Sequence, residues 1–298
     1  MVSWQISDHG LMARDDQAQN PRRRGRKLVL GAATILSVVS VVLALVWAFQ
    51  RSLIYFPDTA EVPAASSALP GGEDLTLRTS DGLDLEAWFA PASPEAEARD
   101  FAVLMTPGNA GNRESRAGLA RHLQEEGFAV LLLDYRGYST NPGSPSEEGL
   151  VRDGLAAVDA LETQGYPPER TIYYGESIGG GVIAALLTER PPAAAAFRSP
   201  FTELADVGSE HYPWLPVSTI LRDEFPVTTH LSQSQVPISV IRAEHDSVVP
   251  AQLSAEVAST APHLVEERIV ENADHNDPVM FGPEVAAVVA RLAESVDS

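Results

Sequence analysis

The chain has 298 residues, 41 Asp and Glu against 21 Lys and Arg, 44% hydrophobic residues and no cysteine. That length serves one large domain or two small ones, and the absence of cysteine excludes a disulfide scaffold, a thiol nucleophile and any Cys-built zinc site. The one lysine, Lys27, stands in an Arg cluster before an apolar run, so neither a Walker-type phosphate loop nor a Schiff-base lysine is available.

Residues 1–27 carry a net charge of +3 and the remainder −23. A body that acidic repels phosphate backbones, which argues against a nucleic-acid partner. The basic stretch of Arg22, Arg23, Arg24, Arg26 and Lys27 precedes LVLGAATILSVVSVVLALVWAF, 28–49, which holds no charge. As a helix this run is about 33 Å long, enough for a hydrocarbon core of about 30 Å. The basic flank predicts a cytoplasmic N-terminus with everything after Arg51 outside, and Trp47 suits the interfacial belt. A cleaved signal peptide has a shorter apolar run and a small-residue cleavage site, and VWAFQRS offers none. The Arg pair also raises a twin-arginine signal, but the residues after it fit poorly. The reading is a cytoplasmic tail over 1–27, a transmembrane helix over 28–49, a Pro/Ala/Ser/Gly-rich linker over 50–72, and a catalytic domain over 73–298.

Beyond the linker, strand and helix patterns alternate. Leu75–Thr79 and Leu83–Ala90 flank an Asp-Gly turn and read as a hairpin. Apolar runs at Phe101–Thr106, Phe128–Leu133, Thr171–Tyr174, Ala193–Phe197, Ile238–Ile241 and Leu264–Val270 read as strands. Helical spacing covers Arg113–Glu126, Ser146–Thr163, Ile178–Glu189, Ala251–Thr260 and Glu284–Val296, with Ser146 as an N-cap and Gly127 as a C′ stop. The pattern implies an α/β fold with a mostly parallel sheet covered on both faces. Pro213, Pro216 and Pro226 interrupt it, so that about 200–235 reads as an inserted cap over the strand C-termini, where such folds place their sites.

Gly175-Glu176-Ser177-Ile178-Gly179 lies between a strand and a helix, the context a G-x-S-x-G nucleophile elbow requires. Ser177 is the candidate nucleophile, and Cβ atoms at 175 or 179 collide where the chain doubles back. The base and its orienting acid are expected later in the chain, in that order reversed. Asp246 follows the strand at Ile238–Ile241, with Glu244 as the weaker choice of acid. His275 is the histidine after the last strand and takes the base role. His9, His122, His211, His230, His245 and His263 are read as structural, with His211 in the cap also placed near substrate. Oxyanion donors are expected at the N–H of Ile178 and, from the loop PGNAGN, the N–H of Asn109. No metal-binding pattern appears, and no cofactor is implied.

Together with RSLIYFP, LLLDYRGYSTNPGSPSEEG, RSPFTEL, HYPWLPV, EHDSVVP and DHND, these motifs resemble the α/β-hydrolase superfamily over 51–298. The resemblance is to its small single-pass membrane-anchored serine hydrolases, relatives of lysophospholipases, depalmitoylating thioesterases and prolyl-oligopeptidase-like peptidases. It implies the triad Ser177, Asp246 and His275 with backbone oxyanion donors at Asn109 and Ile178. It departs from the family in carrying Pro107 where a His is usual. The expected activity is cleavage of an ester or thioester of acyl or lipid type, with Tyr212, Trp214, Leu215 and Arg198 placed against substrate. Two alternatives stand beside it, a peptidase and a catalytically silent tethered scaffold.

Overall fold

The computed structural model describes residues 21–297. His9 and most of the basic tail lie outside the described residues. By contact density the chain falls into two units, Met1–Ala48 and Phe49–Ser298. A continuous helix, α1, runs over Pro21–Ile54. Pro21 fits its first turn, where a missing N–H breaks no bond. Its stretch Arg26–Ile54 has a mean hydropathy of 2.6 over its most apolar window. The helix continues past Phe49, beyond the sequence boundary, because Gln50 and Arg51 find partners in the second unit. Gln50 Nε2 donates to the Ile220 carbonyl at 3.1 Å, and Arg51 pairs with Asp223.

The second unit is built on β1 (Phe56–Pro57), α2 (Ala65–Ala68), β2 (Glu73–Arg78), β3 (Asp84–Ala90), β4 (Ala102–Thr106), β5 (Ala110–Gly111), α3 (Ala117–Glu125), β6 (Ala129–Leu133) and α4 (Glu147–Thr163). It continues with β7 (Thr171–Glu176), α5 (Ile178–Glu189), β8 (Ala194–Arg198), α6 (Leu204–His211), α7 (Val217–Ile220), α8 (Val227–Ser232), β9 (Ile238–Ala243), α9 (Ala251–Thr260), β10 (Leu264–Val270) and α10 (Pro283–Glu294). The main sheet has eight strands in the order β10-β9-β8-β7-β4-β6-β3-β2. It is parallel from β10 to β6, and β3 and β2 close it antiparallel.

The central strands β4, β6 and β8 are buried at every residue, as unbroken apolar runs require when both faces are covered. One face packs Leu150, Leu161, Val182, Leu186 and Val257 from α4, α5 and α9. The other packs Leu119, Leu123, Val285, Val289 and Leu292 from α3 and α10. Ser146 caps α4 by accepting from Gly149 N at 3.1 Å, and Gly127 takes φ 89° after α3.

Residues 50–72 are not the loose linker that their composition suggests. Tyr55, Ala65 and Leu69 are buried, and β1 pairs in parallel with β5, Phe56 against Ala110 and Pro57 against Gly111. The segment 200–235 holds the short helices α6, α7 and α8 in place of regular strand–helix alternation.

Candidate active site

The C-terminal ends of β7, β8, β9 and β10 carry the candidate residues. β7 ends at Glu176 and α5 begins at Ile178, so one residue turns the chain. That residue, Ser177, adopts φ 51° and ψ −116°, a left-handed conformation that costs a non-glycine residue energy. The turn is tight enough to exclude side chains on either side. A Cβ at Gly175 would lie 2.6 Å from the Gly179 carbonyl oxygen, and one at Gly179 would strike the Thr106 oxygen and lie 2.6 Å from that of Pro107. As the first residue of α5, Ile178 has an N–H with no intrahelical partner.

Asp246, after β9, and His275, after β10, are brought together. Nδ1 of His275 lies 2.9 Å from Oδ1 and 2.8 Å from Oδ2 of Asp246. Oδ1 also accepts from Val248 N at 3.0 Å and Val249 N at 2.7 Å. Burial raises the Asp246 carboxyl, but the His275 ring and the Val249 N–H prevail and hold it below the usual range. An ionised carboxylate only accepts, so Nδ1 of His275 is the donor in this pair and Nε2 is the ring nitrogen turned away from Asp246.

Asp274, which the sequence reading passed over, fastens the two loops together. Its carboxylate accepts from Ser247 N at 2.7 Å, Ser247 Oγ at 2.7 Å and His275 N at 2.6 Å. The Ser247 N–H and hydroxyl hold this carboxyl below its ordinary value. A second acid beside the candidate base was the one available sign of it. Glu244, the weaker choice of acid, is exposed and accepts from Asn272 N at 2.9 Å.

Behind the elbow lies a buried charge cluster. Arg116 reaches Glu176 through Nη2 at 2.6 Å and Nε at 3.2 Å. Arg198 at the end of β8 is wholly buried, and its backbone oxygen accepts from Ser177 N at 2.8 Å. Arg198 Nη1 donates to the His275 carbonyl at 2.7 Å, and its guanidinium lies 4.5 Å from the centroid of the Phe281 ring. Its Nη2 is 3.0 Å from Glu176 Oε1, within ion-pair range but outside hydrogen-bond geometry, which leaves Nε and Nη2 without acceptors. Burial raises the Glu176 carboxyl, yet the Arg116 and Arg198 charges outweigh it and hold it at about 2. Arg198 therefore offers no surface to a substrate; it is a strut between the elbow and the His275 loop. Arg116 is missed in sequence, and Arg198 is placed against substrate and not inward, because an arginine's direction depends on the partners that the fold supplies.

The loop after β4 approaches the elbow closely. A Cβ at Gly108 would lie 2.8 Å from Glu176 Oε1. The Pro107 carbonyl accepts from Tyr135 Oη at 3.0 Å, which supports the loop at the position where Pro replaces the family's His. The Asn109 carbonyl accepts from Phe56 N at 2.8 Å and Tyr138 Oη at 2.7 Å.

In the segment 200–235, Tyr212 and Trp214 are exposed and meet edge to face, with centroids 6.5 Å apart, and Leu215 is half-buried. His211 Nε2 lies 2.8 Å from the Val248 carbonyl and so joins this segment to the Asp246 loop. A groove of about 580 Å³ elsewhere is lined by Arg51, Glu147, Arg152 and Asp223, and none of Ser177, Asp246 and His275 lines it.

The parallel sheet, the helix-capped elbow after its central strand and the loops beyond it define an α/β-hydrolase fold. Residues 102–236 match the alpha/beta hydrolase fold family. An uncharacterized protein of Mycobacterium tuberculosis strain H37Rv is 44% identical over 250 residues, 84% of this chain and 88% of the relative. The lysophosphatidylserine lipase ABHD12 of Danio rerio is 29% identical over 220 residues, 62% of this chain and 57% of that protein. Among solved structures, an esterase of Pyrococcus furiosus aligns with a TM-score of 0.64 at 18% identity, covering 82% of this chain and 98% of the esterase. The chain belongs to the α/β-hydrolase family.

Proposed function

We propose that this hydrolase is a membrane-anchored serine esterase or thioesterase acting on acyl or lipid-type substrates through Ser177, His275 and Asp246. The observation that carries the reading is the pairing of His275 Nδ1 with both oxygens of an ionised Asp246, which frees Nε2 to act as a base. In the proposed reaction, Ser177 Oγ attacks the acyl carbonyl as His275 Nε2 takes its proton. The N–H groups of Asn109 and Ile178 donate hydrogen bonds to the carbonyl oxygen as negative charge develops on it. His275 then returns the proton to the leaving alkoxide or thiolate, and the acyl group stays on Ser177. Water, deprotonated by His275, releases the acid and restores the serine.

The apolar stretch Arg26–Ile54 supports a single-pass anchor, and the Arg-rich flank supports a cytoplasmic N-terminus with the hydrolase unit outside. Exposed Tyr212 and Trp214 on the cap supply apolar surface for an acyl chain. The lipase name of the Danio rerio relative favours the same substrate class. The test is a panel of p-nitrophenyl esters, acyl thioesters and lysophospholipids of increasing chain length, together with peptide amides, offered to the full chain in detergent with Ser177→Ala as control. Ser177-dependent turnover that rises with acyl length is expected. Turnover confined to peptide amides would overturn the substrate class.

A further inference from the structure

The segment that leaves the apolar helix does more than connect it. Residues 51–58 make two sets of bonds within the hydrolase unit. On one side, Arg51 donates to Asp223 through Nε at 3.0 Å and Nη2 at 2.9 Å, and Tyr55 Oη donates to the same carboxylate at 3.1 Å. On the other side the segment grips the loop after β4. Asn109 Nδ2 donates to the carbonyl of Ile54, the last residue of α1, at 2.7 Å. Phe56 N donates back to the Asn109 carbonyl at 2.8 Å, and Asp58 N donates to the Gly111 carbonyl at 3.2 Å. The Asp58 carbonyl in turn accepts from Ser139 N at 2.7 Å.

Carbonyls at the end of a helix lack intrahelical donors and take whatever donor is offered. Here the donor is the side chain of Asn109, the residue whose backbone N–H is the proposed oxyanion donor. Its side-chain amide is spent on Ile54, and its carbonyl is spent on Phe56 and Tyr138. Two of these bonds hold the 109–110 peptide plane and the third holds the Cα–Cβ direction, and together they set the position from which the N–H projects. An oxyanion hole works only when its donors are already aimed at the position where charge develops.

We infer that the strap at residues 51–58 is a working part of the oxyanion hole: Asn109 is a positioning residue whose side chain ties the donor N–H to the end of the membrane helix. The inference rests on the proposed function of Ser177 and Asn109. It makes the tether a determinant of turnover and not only of location.

The experiment uses the full chain in detergent, with a p-nitrophenyl ester as substrate and a trifluoromethyl ketone as oxyanion probe. The ketone forms a hemiketal with Ser177 whose oxygen occupies the hole. Asn109→Ala keeps the backbone N–H and removes only the tie to Ile54. Tyr138→Phe removes one of the two donors to the Asn109 carbonyl and leaves the ring in place. Asn109→Ala is expected to lower kcat at least tenfold with KM changed less than threefold, and to weaken the ketone by a factor matching the loss in kcat. Tyr138→Phe is expected to move both quantities in the same direction by about threefold, which keeps the test open if the first variant folds poorly. Kcat and ketone affinity within twofold of wild type in both folded variants overturns the inference alone. A wild-type chain with no Ser177-dependent turnover overturns the proposed function and the inference with it.

Discussion

Replacing Glu176 by Gln removes the negative charge that the buried Arg198 and the half-buried Arg116 guanidiniums share. Glu176 accepts from Arg116 at 2.6 and 3.2 Å, and Arg198 Nη2 stands 3.0 Å from Oε1. A carboxyl held at about 2 against its ordinary 4.5 corresponds to about 3 kcal/mol of stability at neutral pH. Unpairing buried charges by removing one partner is independently worth about 3–5 kcal/mol. For a unit of this size, 3 kcal/mol lowers the unfolding temperature by on the order of 10 °C. The folded-state pKa lies below the unfolded value, so the contribution is complete above pH 4.5 and disappears as pH falls through about 2. Other carboxylates titrate in the same window, and the difference between wild type and Glu176→Gln isolates this one. Thermal unfolding of both full-length proteins should therefore show a gap near 10 °C at pH 7 that narrows steadily below pH 4.5. A gap under about 2 °C at pH 7, or one that widens in acid, refutes the account of the cluster.

Three further outcomes follow from the same geometry. Arg198→Met removes the donor to the His275 carbonyl and should lower kcat about tenfold with KM little changed, while Arg198→Lys recovers part of the loss; equal kcat for all three proteins in steady-state assays contradicts the strut. Gly179→Ala drives a Cβ onto the carbonyls of Thr106 and Pro107 and should destabilise the chain by about 3 kcal/mol in urea unfolding. Its control, Gly118→Ala on α3, meets nothing within 4 Å and should be neutral or stabilising by less than about 1 kcal/mol, so equal effects at both positions refute the steric argument for the elbow.

The parts legible in sequence are those written in local pattern. Unbroken apolar runs marked β4, β6 and β7 because strands covered on both faces have no polar side to alternate with. Glycines at 175 and 179 marked the elbow because no Cβ fits beside the backbone there. The approach segment was illegible for the opposite reason. β1 and β5 are two residues each, too short for a period, and Arg51 meets Asp223 across most of the chain. Its Pro, Ala and Ser content read as loose, whereas Tyr55 and Leu69 are buried against the domain. Arg198 was placed at the substrate because a charge after a central strand is unusual. Its side chain instead turns inward, where Glu176, Phe281 and the His275 carbonyl offset its desolvation.

The central claim is that Ser177 is an activated nucleophile. A fluorophosphonate probe applied to the full chain in detergent, followed by peptide mapping, tests it most directly. The account predicts a single modified peptide containing Ser177, with labelling abolished in Ser177→Ala and slowed at least a hundredfold in His275→Ala. A folded wild-type chain that takes up no probe, or one labelled equally with and without Ser177, would contradict it.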